Sequence, residues 1–228
     1  MYYVRPATEA QQTRARVQGW PVIKSHYFER RDEPNYPHAY LVEQDGGSRV
    51  RTHFHCVDQW QIFVAGDGVL GRTRVSPVTV QYAGAYTGYG PIEAGDGGLA
   101  YLTLRPEYDP GASFLPETKK LLSESRQQPR RLVEHVDISD IPKDEWVSTF
   151  PPAEGVGGAL FTKVRAEEKV GIPDHVTAPR FLVLLEGSAS VGGRELTPLS
   201  CLFAGRDDTL PEVISTADST AMLLCTFP

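Results

Sequence analysis

The sequence predicts an all-β chain made of two copies of one strand-rich unit, and three observations carry that expectation. The chain holds 21 Gly and 18 Pro among 228 residues, more than a globular protein usually carries, with no collagen period. These residues separate short runs of Val, Leu, Phe, Tyr and Thr, the punctuation of strands joined by turns. There is also an internal echo. Val64-Ala65-Gly66-Asp67-Gly68-Val69-Leu70-Gly71 can be laid on Leu185-Glu186-Gly187-Ser188-Ala189-Ser190-Val191-Gly192. The same offset brings Pro77 onto Pro198 and Leu99–Leu104 close to Ala221–Thr226.

Taken in order, residues 1 to about 34 are mixed, with Pro6, Pro21 and Pro34 interrupting long elements. His38 to Val42 alternates, and Asp45-Gly46-Gly47 reads as a hairpin turn leading into a returning strand, Arg49 to Phe54. Trp60 to Val64 is a third strand, ended by Gly66-Asp67-Gly68, and Val69 to Val75 continues the series. Pro77 breaks the chain before Val78 to Tyr82. A Gly- and Tyr-rich loop then reaches Ile92, and the turn Gly95-Asp96-Gly97-Gly98 precedes the apolar strand Leu99 to Leu104. Three segments follow: an N-terminal domain over 1–106 with a leading arm, a linker over 107–145, and a C-terminal domain over 146–228. Within the linker, Pro116-Glu117-Thr118 opens a short helix over Lys119–Glu124, proline being accepted in a first turn. Arg126, Arg130 and Arg131 read as a solvated basic face of that linker.

Bulk composition excludes several classes. With 40% hydrophobic and 23% charged residues the chain is expected to fold. A net charge of -6 and the lack of a basic stripe argue against nucleic-acid binding. No apolar run approaches the roughly 20 residues that cross a bilayer, and the first residues do not read as a signal peptide. A cytoplasmic protein without a membrane partner is the expectation. Cys56, Cys201 and Cys225 have no CxxC spacing, which argues against a disulfide framework or a cysteine zinc site. Neither a GxGxxG or P-loop after a strand nor a GxSxG elbow is present.

The one constellation able to carry chemistry is Thr52-His53-Phe54-His55-Cys56-Val57-Asp58-Gln59-Trp60-Gln61. On a strand, His53 and His55 share a face, and Gln59 and Gln61 keep that parity if the intervening turn leaves it undisturbed. Two imidazoles so placed clamp a metal in some proteins, and in others are simply hydrogen-bonded core side chains. The spacing His53-x-His55-x3-Gln59-x6-Gly66 resembles the first motif of the cupin superfamily, and the duplicated unit extends the resemblance to a bicupin over roughly residues 35 to 227. That resemblance implies two double-stranded β-helix barrels, with a divalent metal (iron, manganese, nickel or zinc) in many members. It implies His53, His55 and Gln59 as the ligand set. Gln59 stands where the family has glutamate, and Tyr82 where its second motif has histidine. His38, of the same parity as Tyr40 and Val42, is the candidate for the missing imidazole.

Around this core, Arg49, Arg51, Gln61 and Tyr82 are candidate substrate-binding residues, and Tyr86, Tyr89 and Asp58 candidate acid-base groups. Plain alternatives stand beside them: solvent exposure for the arginines, core packing for Tyr82, an ordinary loop for Tyr86 and Tyr89, and backbone capping for Asp58. The second copy is degenerate. Asp174 and Val176 occupy its histidine positions, with His175 between them; Arg180 stands at the glutamate position and Phe203 at the last histidine position. That half is expected to supply packing, dimer surface or an anion pocket. Three functional readings follow, all with a small-molecule ligand and a homodimer as the expected assembly. One is a metal-dependent dioxygenase, isomerase or lyase acting on a small anion. The others are a metal-free ligand-binding cupin and a metal-free acid-base enzyme.

Overall fold

The structure is a computed structural model describing residues 2–28, 31, 33, 36–125, 127–149, 154–173 and 176–228. Pro34, Arg126, Asp174 and His175, which enter the reading above, lie outside the described residues. The chain divides into two units, residues 11–136 and residues 1–10 together with 137–228. β1 (Tyr2–Arg5) belongs to the second of these, so of the expected leading arm residues 1–10 leave the N-terminal unit while residues 11–28 stay in it.

The first unit continues with β2 (Gln11–Val17), β3 (Trp20–His26), β4 (His38–Gln44), β5 (Arg49–Val50), β6 (His53–Phe54), β7 (Gln59–Leu70), β8 (Thr73–Val75), β9 (Thr79–Ala83), β10 (Ile92–Arg105), β11 (Ser113–Phe114), α1 (Lys119–Glu124) and β12 (Arg131–His135). Its main sheet runs β12-β9-β7-β10-β4-β3-β2. Residues 107–136, expected as linker, are part of this unit: β12 pairs antiparallel with β9, and β11 with β6. Arg130 and Arg131 are correspondingly no solvated face. Arg131 Nε donates to Gln81 Oε1 at 2.9 Å, and Arg130 pairs with Asp58 at 3.2 Å. The expected helix over Lys119–Glu124 forms.

Two glycine clusters, one expected to end a strand and one expected as a turn before a strand, lie within strands instead. β7 runs through Gly66 and Gly68, and β10 through Gly95 to Gly98, with register shifts between Ala94 and Leu99. The clusters face each other across a bulged ladder. A Cβ on Gly66, whose φ is +72°, would sit 2.1 Å from Gly98 O, so neither backbone tolerates a side chain there. The hairpin expected at Asp45-Gly46-Gly47 is a turn between strands that do not pair: β4 and β5 both pair with β10. β2 and β3 escape the sequence pattern because β2 is exposed along nearly its whole length, so no apolar alternation marks it.

In the second unit follow β13 (Val147–Ser148), β14 (Ala159–Val164), β15 (Arg180–Glu186), β16 (Ala189–Val191), β17 (Arg194–Leu196), β18 (Cys201–Ala204), β19 (Ile214–Ser215) and β20 (Thr220–Thr226). The main sheet runs β1-β18-β15-β20-β14-β13, and a three-stranded sheet runs β17-β16-β19. Its interior is filled by Val164, Leu182, Leu184, Leu202, Met222 and Leu224 among others. Arg180, expected at the glutamate position, spends its guanidinium on backbone. Its guanidinium donates to the carbonyls of Ala178 (2.9 Å), Gly205 (3.4 Å) and Asp208, bracing adjacent loops. The sequence echo is physical: Gly66 and Gly187 have φ of +72° and +80°, and Gly71 and Gly192 have +68° and +56°. Both copies need the same left-handed turns.

Candidate functional site

A cavity of about 360 Å³ opens within the first unit. Its wall is read off strand parity. On β10, Tyr101, Thr103 and Arg105 line it; across the ladder on β4, their partners Val42, Tyr40 and His38 do the same. Arg16, Val17 and Gln18 from the β2–β3 hairpin, together with Lys24 and His26 of β3, contribute further wall. Leu102 and Leu104 take the other face of β10, where Leu104 lies opposite Trp60 and Trp60 opposite Tyr82.

The histidine pair is held at the inner wall by a backbone exchange, His53 N–H to Tyr89 O at 3.1 Å and Tyr89 N–H to His53 O at 3.0 Å. The two imidazole rings lie 5.3 Å apart and nearly perpendicular. Their hydrogen bonds fix both tautomers. His53 Nδ1 lies 2.7 Å from the carbonyl of Arg51, an acceptor, so the proton is on Nδ1 and Nε2 accepts from Tyr89 Oη at 2.9 Å. His55 Nδ1 lies 2.8 Å from Asp109 Oδ2, so it donates there, and its Nε2 accepts from Arg105 at 3.1 Å.

Arg105 is the hub. It is 4% exposed, and its Nε and one terminal nitrogen reach Gln59 Oε1 at 3.1 and 3.0 Å. The other terminal nitrogen reaches Asp109 Oδ2 at 2.8 Å, and the guanidinium carbon lies 5.6 Å from the Tyr40 ring centre. Gln59, its carbonyl taken, turns its amide N–H to Tyr89 Oη. The chain of donors therefore runs from Arg105 through Gln59 and Tyr89 to His53 with every acceptor used once or twice, as a buried polar network requires.

Protonation states follow from burial. His53 is pushed down to about 3, first by burial and then by neighbouring His55. His55 is pushed down to about 4 by burial and by the adjacent Arg105 charge. Burial drives the Tyr89 phenol upward. Asp109 is held below its ordinary range: burial opposes its charge, but the bond from His55 and the charge of Arg105 outweigh that. At neutral pH the network thus holds one cation, one carboxylate and two neutral imidazoles.

Gln61 lines the cavity, but its carbonyl accepts from Gln81 at 2.7 Å. Tyr82, expected at the pocket, is fully buried against Trp60 with ring centres 5.1 Å apart, because its parity on β9 is that of Trp60 and not of Gln61. Tyr86 does not join the histidines: its N–H donates to His55 O, while its ring lies against Phe54 beside a second hollow that includes Cys56 and Leu121. Asp58 accepts from Ala85 N–H at 2.6 Å and pairs with Arg130, the capping role. Arg49 pairs with Glu93 at 3.0 Å, and Arg51 binds Leu115 O and Glu117; neither lines the cavity. A bend at Arg51-Thr52 breaks the parity that placed them beside His53. His38 lines the cavity opposite Arg105, edge-on to the Tyr108 ring at 5.4 Å.

Arg105 and Asp109 are absent from the motif reading. One signal was there: Arg105 ends the run Leu99-Ala100-Tyr101-Leu102-Thr103-Leu104 at an inward parity, and an arginine inside a barrel needs a buried partner. Asp109, four residues on, carried no pattern.

The metal implied by the motif does not fit these residues. His55 Nε2 and Gln59 Oε1, two of the three expected donor atoms, both accept from Arg105, and the third, His53 Nε2, accepts from Tyr89. A divalent ion within ~4 Å of the guanidinium would meet a repulsion of roughly 8 kcal/mol at an effective dielectric of about 20. Among the described residues no group of three or more His, Cys, Asp or Glu side chains is arranged to hold a metal.

No protein-family model matches the chain, and no curated protein matches it in sequence. Solved structures match it in fold. The nickel(II) complex of the bacterial pirin YhhW from Escherichia coli matches with a TM-score of 0.66 at 14% identity, covering 100% of both chains. A cupin 2 conserved barrel domain protein from Leptotrichia buccalis matches with a TM-score of 0.51 at 14% identity, over 91% of this chain and 89% of the other. The chain has the bicupin fold. A variant of the oxalate decarboxylase OxdC from Bacillus subtilis matches over 100% of this bicupin and 76% of its own chain, with a TM-score of 0.58 at 11% identity. At such identities the likeness is one of fold, and function has to be argued from the site. No helix among the described residues is long and apolar enough to cross a membrane.

Proposed function

We propose that this bicupin binds a small organic anion with an apolar body in its N-terminal barrel, without a metal. The observation that carries the reading is the charge of the cavity wall. Arg16, Lys24 and Arg105 bring three positive charges and Asp109 one negative, on a chain whose net charge is -6. Val17, Val22, Phe28, Val42 and Phe114 supply apolar wall, and Tyr40, Tyr89 and Tyr101 add aromatic faces with polar ends. A volume of about 360 Å³ is at the small-ligand end of binding sites. The neutral histidines favour a binding role over acid-base turnover, because neither imidazole changes charge near pH 7.

Titration calorimetry with benzoate and with its neutral isostere benzamide tests this. Benzoate is expected to bind at least tenfold more tightly, to weaken as salt rises, and to lose affinity in Lys24→Ala. Equal affinity for the two, or none for either together with other small carboxylates, would overturn the anion reading. Product formation on incubation would overturn the binding role.

A further inference from the structure

The Arg105 guanidinium occupies two of the donor atoms that the cupin resemblance implies for a metal, His55 Nε2 and Gln59 Oε1. In this chain one terminal nitrogen of Arg105 touches both, at 3.1 and 3.0 Å. Asp109 completes the arrangement by binding His55 Nδ1 and Arg105 at 2.8 Å each. A carboxylate on the far nitrogen of a ligating imidazole is also what orients a metal-binding histidine. A covalently attached cation thus already binds His55 and Gln59, while the third donor, His53 Nε2, accepts from Tyr89 Oη at 2.9 Å.

We infer that Arg105 is a built-in replacement for the metal ion of this barrel, and that removing its side chain uncovers a divalent-metal site made by His53, His55 and Gln59. Both imidazoles already carry the proton on Nδ1, so ligation needs no tautomer change, only that Tyr89 Oη turn away from His53 Nε2. Without Arg105, Asp109 is a buried carboxylate with no facing guanidinium, and the neutral network acquires a net negative charge that attracts a cation. Two imidazoles with an amide oxygen, and the Tyr89 hydroxyl beside them, suit nickel, cobalt or zinc over magnesium or calcium. The wild-type arm rests on the metal-independent reading above; that reading is tested with benzoate and Lys24→Ala, the inference with nickel and Arg105→Ala, so one can fail without the other.

The experiment compares the full-length wild type, Arg105→Ala and Arg105→Ala/His53→Ala/His55→Ala after chelator treatment and its removal. Each is titrated with Ni²⁺ and Co²⁺, read by calorimetry and by visible d–d absorption. The expected result is no saturable site in the wild type, about one equivalent in Arg105→Ala at an affinity at least a hundredfold tighter, and loss of that site in the triple variant. If Arg105→Ala is poorly folded, Arg105→Met, which keeps the bulk of the stem, takes its place. A rise in thermal midpoint on adding Ni²⁺ then reads the same site. A folded Arg105 variant that binds no more metal than wild type overturns the inference, as does a midpoint that nickel leaves unmoved. A wild type holding one equivalent through His53 and His55 overturns it as well.

Discussion

Acid should unfold the N-terminal barrel through its histidine pair. A histidine with an ordinary value near 6.5 is neutral at pH 7 in both folded and unfolded chains. In this fold His53 and His55 are pushed down to about 3 and about 4. Between pH 6.5 and those values the unfolded chain binds protons that the folded chain refuses, so stability falls as pH falls. A pH of 5 lies about 1.5 units below the unfolded value and still above both folded ones, so each histidine loses about 2 kcal/mol there, or about 4 kcal/mol for the pair. That is a large part of the roughly 5–15 kcal/mol that holds a domain folded. Asp109, held below its ordinary value, contributes stability above about pH 4 and loses it only in stronger acid, so it does not enter this window. The assay is urea unfolding at pH 7 and pH 5, read from the fluorescence of Trp60, buried in this barrel, in a Trp20→Phe/Trp146→Phe background. His53→Gln/His55→Gln in the same background subtracts the remaining histidines. Loss of about 4 kcal/mol in the parent and much less in the double variant is expected. Equal losses in both, or no loss in the parent, would refute the reasoning.

Asp109→Asn keeps the shape but leaves Arg105 buried without its carboxylate, and should lower unfolding free energy by about 3–5 kcal/mol, measured by urea denaturation at pH 7. Gln59→Glu restores the cupin carboxylate, yet it should bind no more nickel than wild type, because Arg105 faces the new charge and pairs with it; equilibrium dialysis reads this. Gly66→Ala places a Cβ 2.1 Å from Gly98 O at a φ of +72°, and should cost about 3 kcal/mol or more, seen as a lowered thermal midpoint or loss of soluble protein. Gly19→Ala, at a φ of +88° with open space around it, should cost only about 1–2 kcal/mol.

Much of the fold was legible because it depends on local rules. Glycines at left-handed positions and alternating apolar runs mark strand boundaries wherever a strand is half-buried. The offset that laid Gly66 on Gly187 matched two turns of one geometry. The rules failed where burial did not follow them. β2 is exposed and so unmarked, while β11 and β12 join the first unit through pairings distant in sequence. The glycine clusters of β7 and β10 looked like turns because a single strand cannot reveal that its bulge is matched by one opposite.

For the site, the sequence by itself placed His53, His55 and Gln59 in one neighbourhood, since motif spacing and strand parity act over a few residues, and offered Tyr89 beside Tyr86 only as a loop candidate. It misplaced Arg51 because one bend resets parity, and Tyr82 because β9 meets β7 in a register no local pattern carries. Only the tertiary structure decided that Arg105 and Asp109 lie among those side chains. Whether an imidazole faces a metal or a guanidinium depends on what a strand some fifty residues away brings to the same few ångströms. Electrostatics falls off with distance in space and not along the chain, so the character of the pocket was settled by folding.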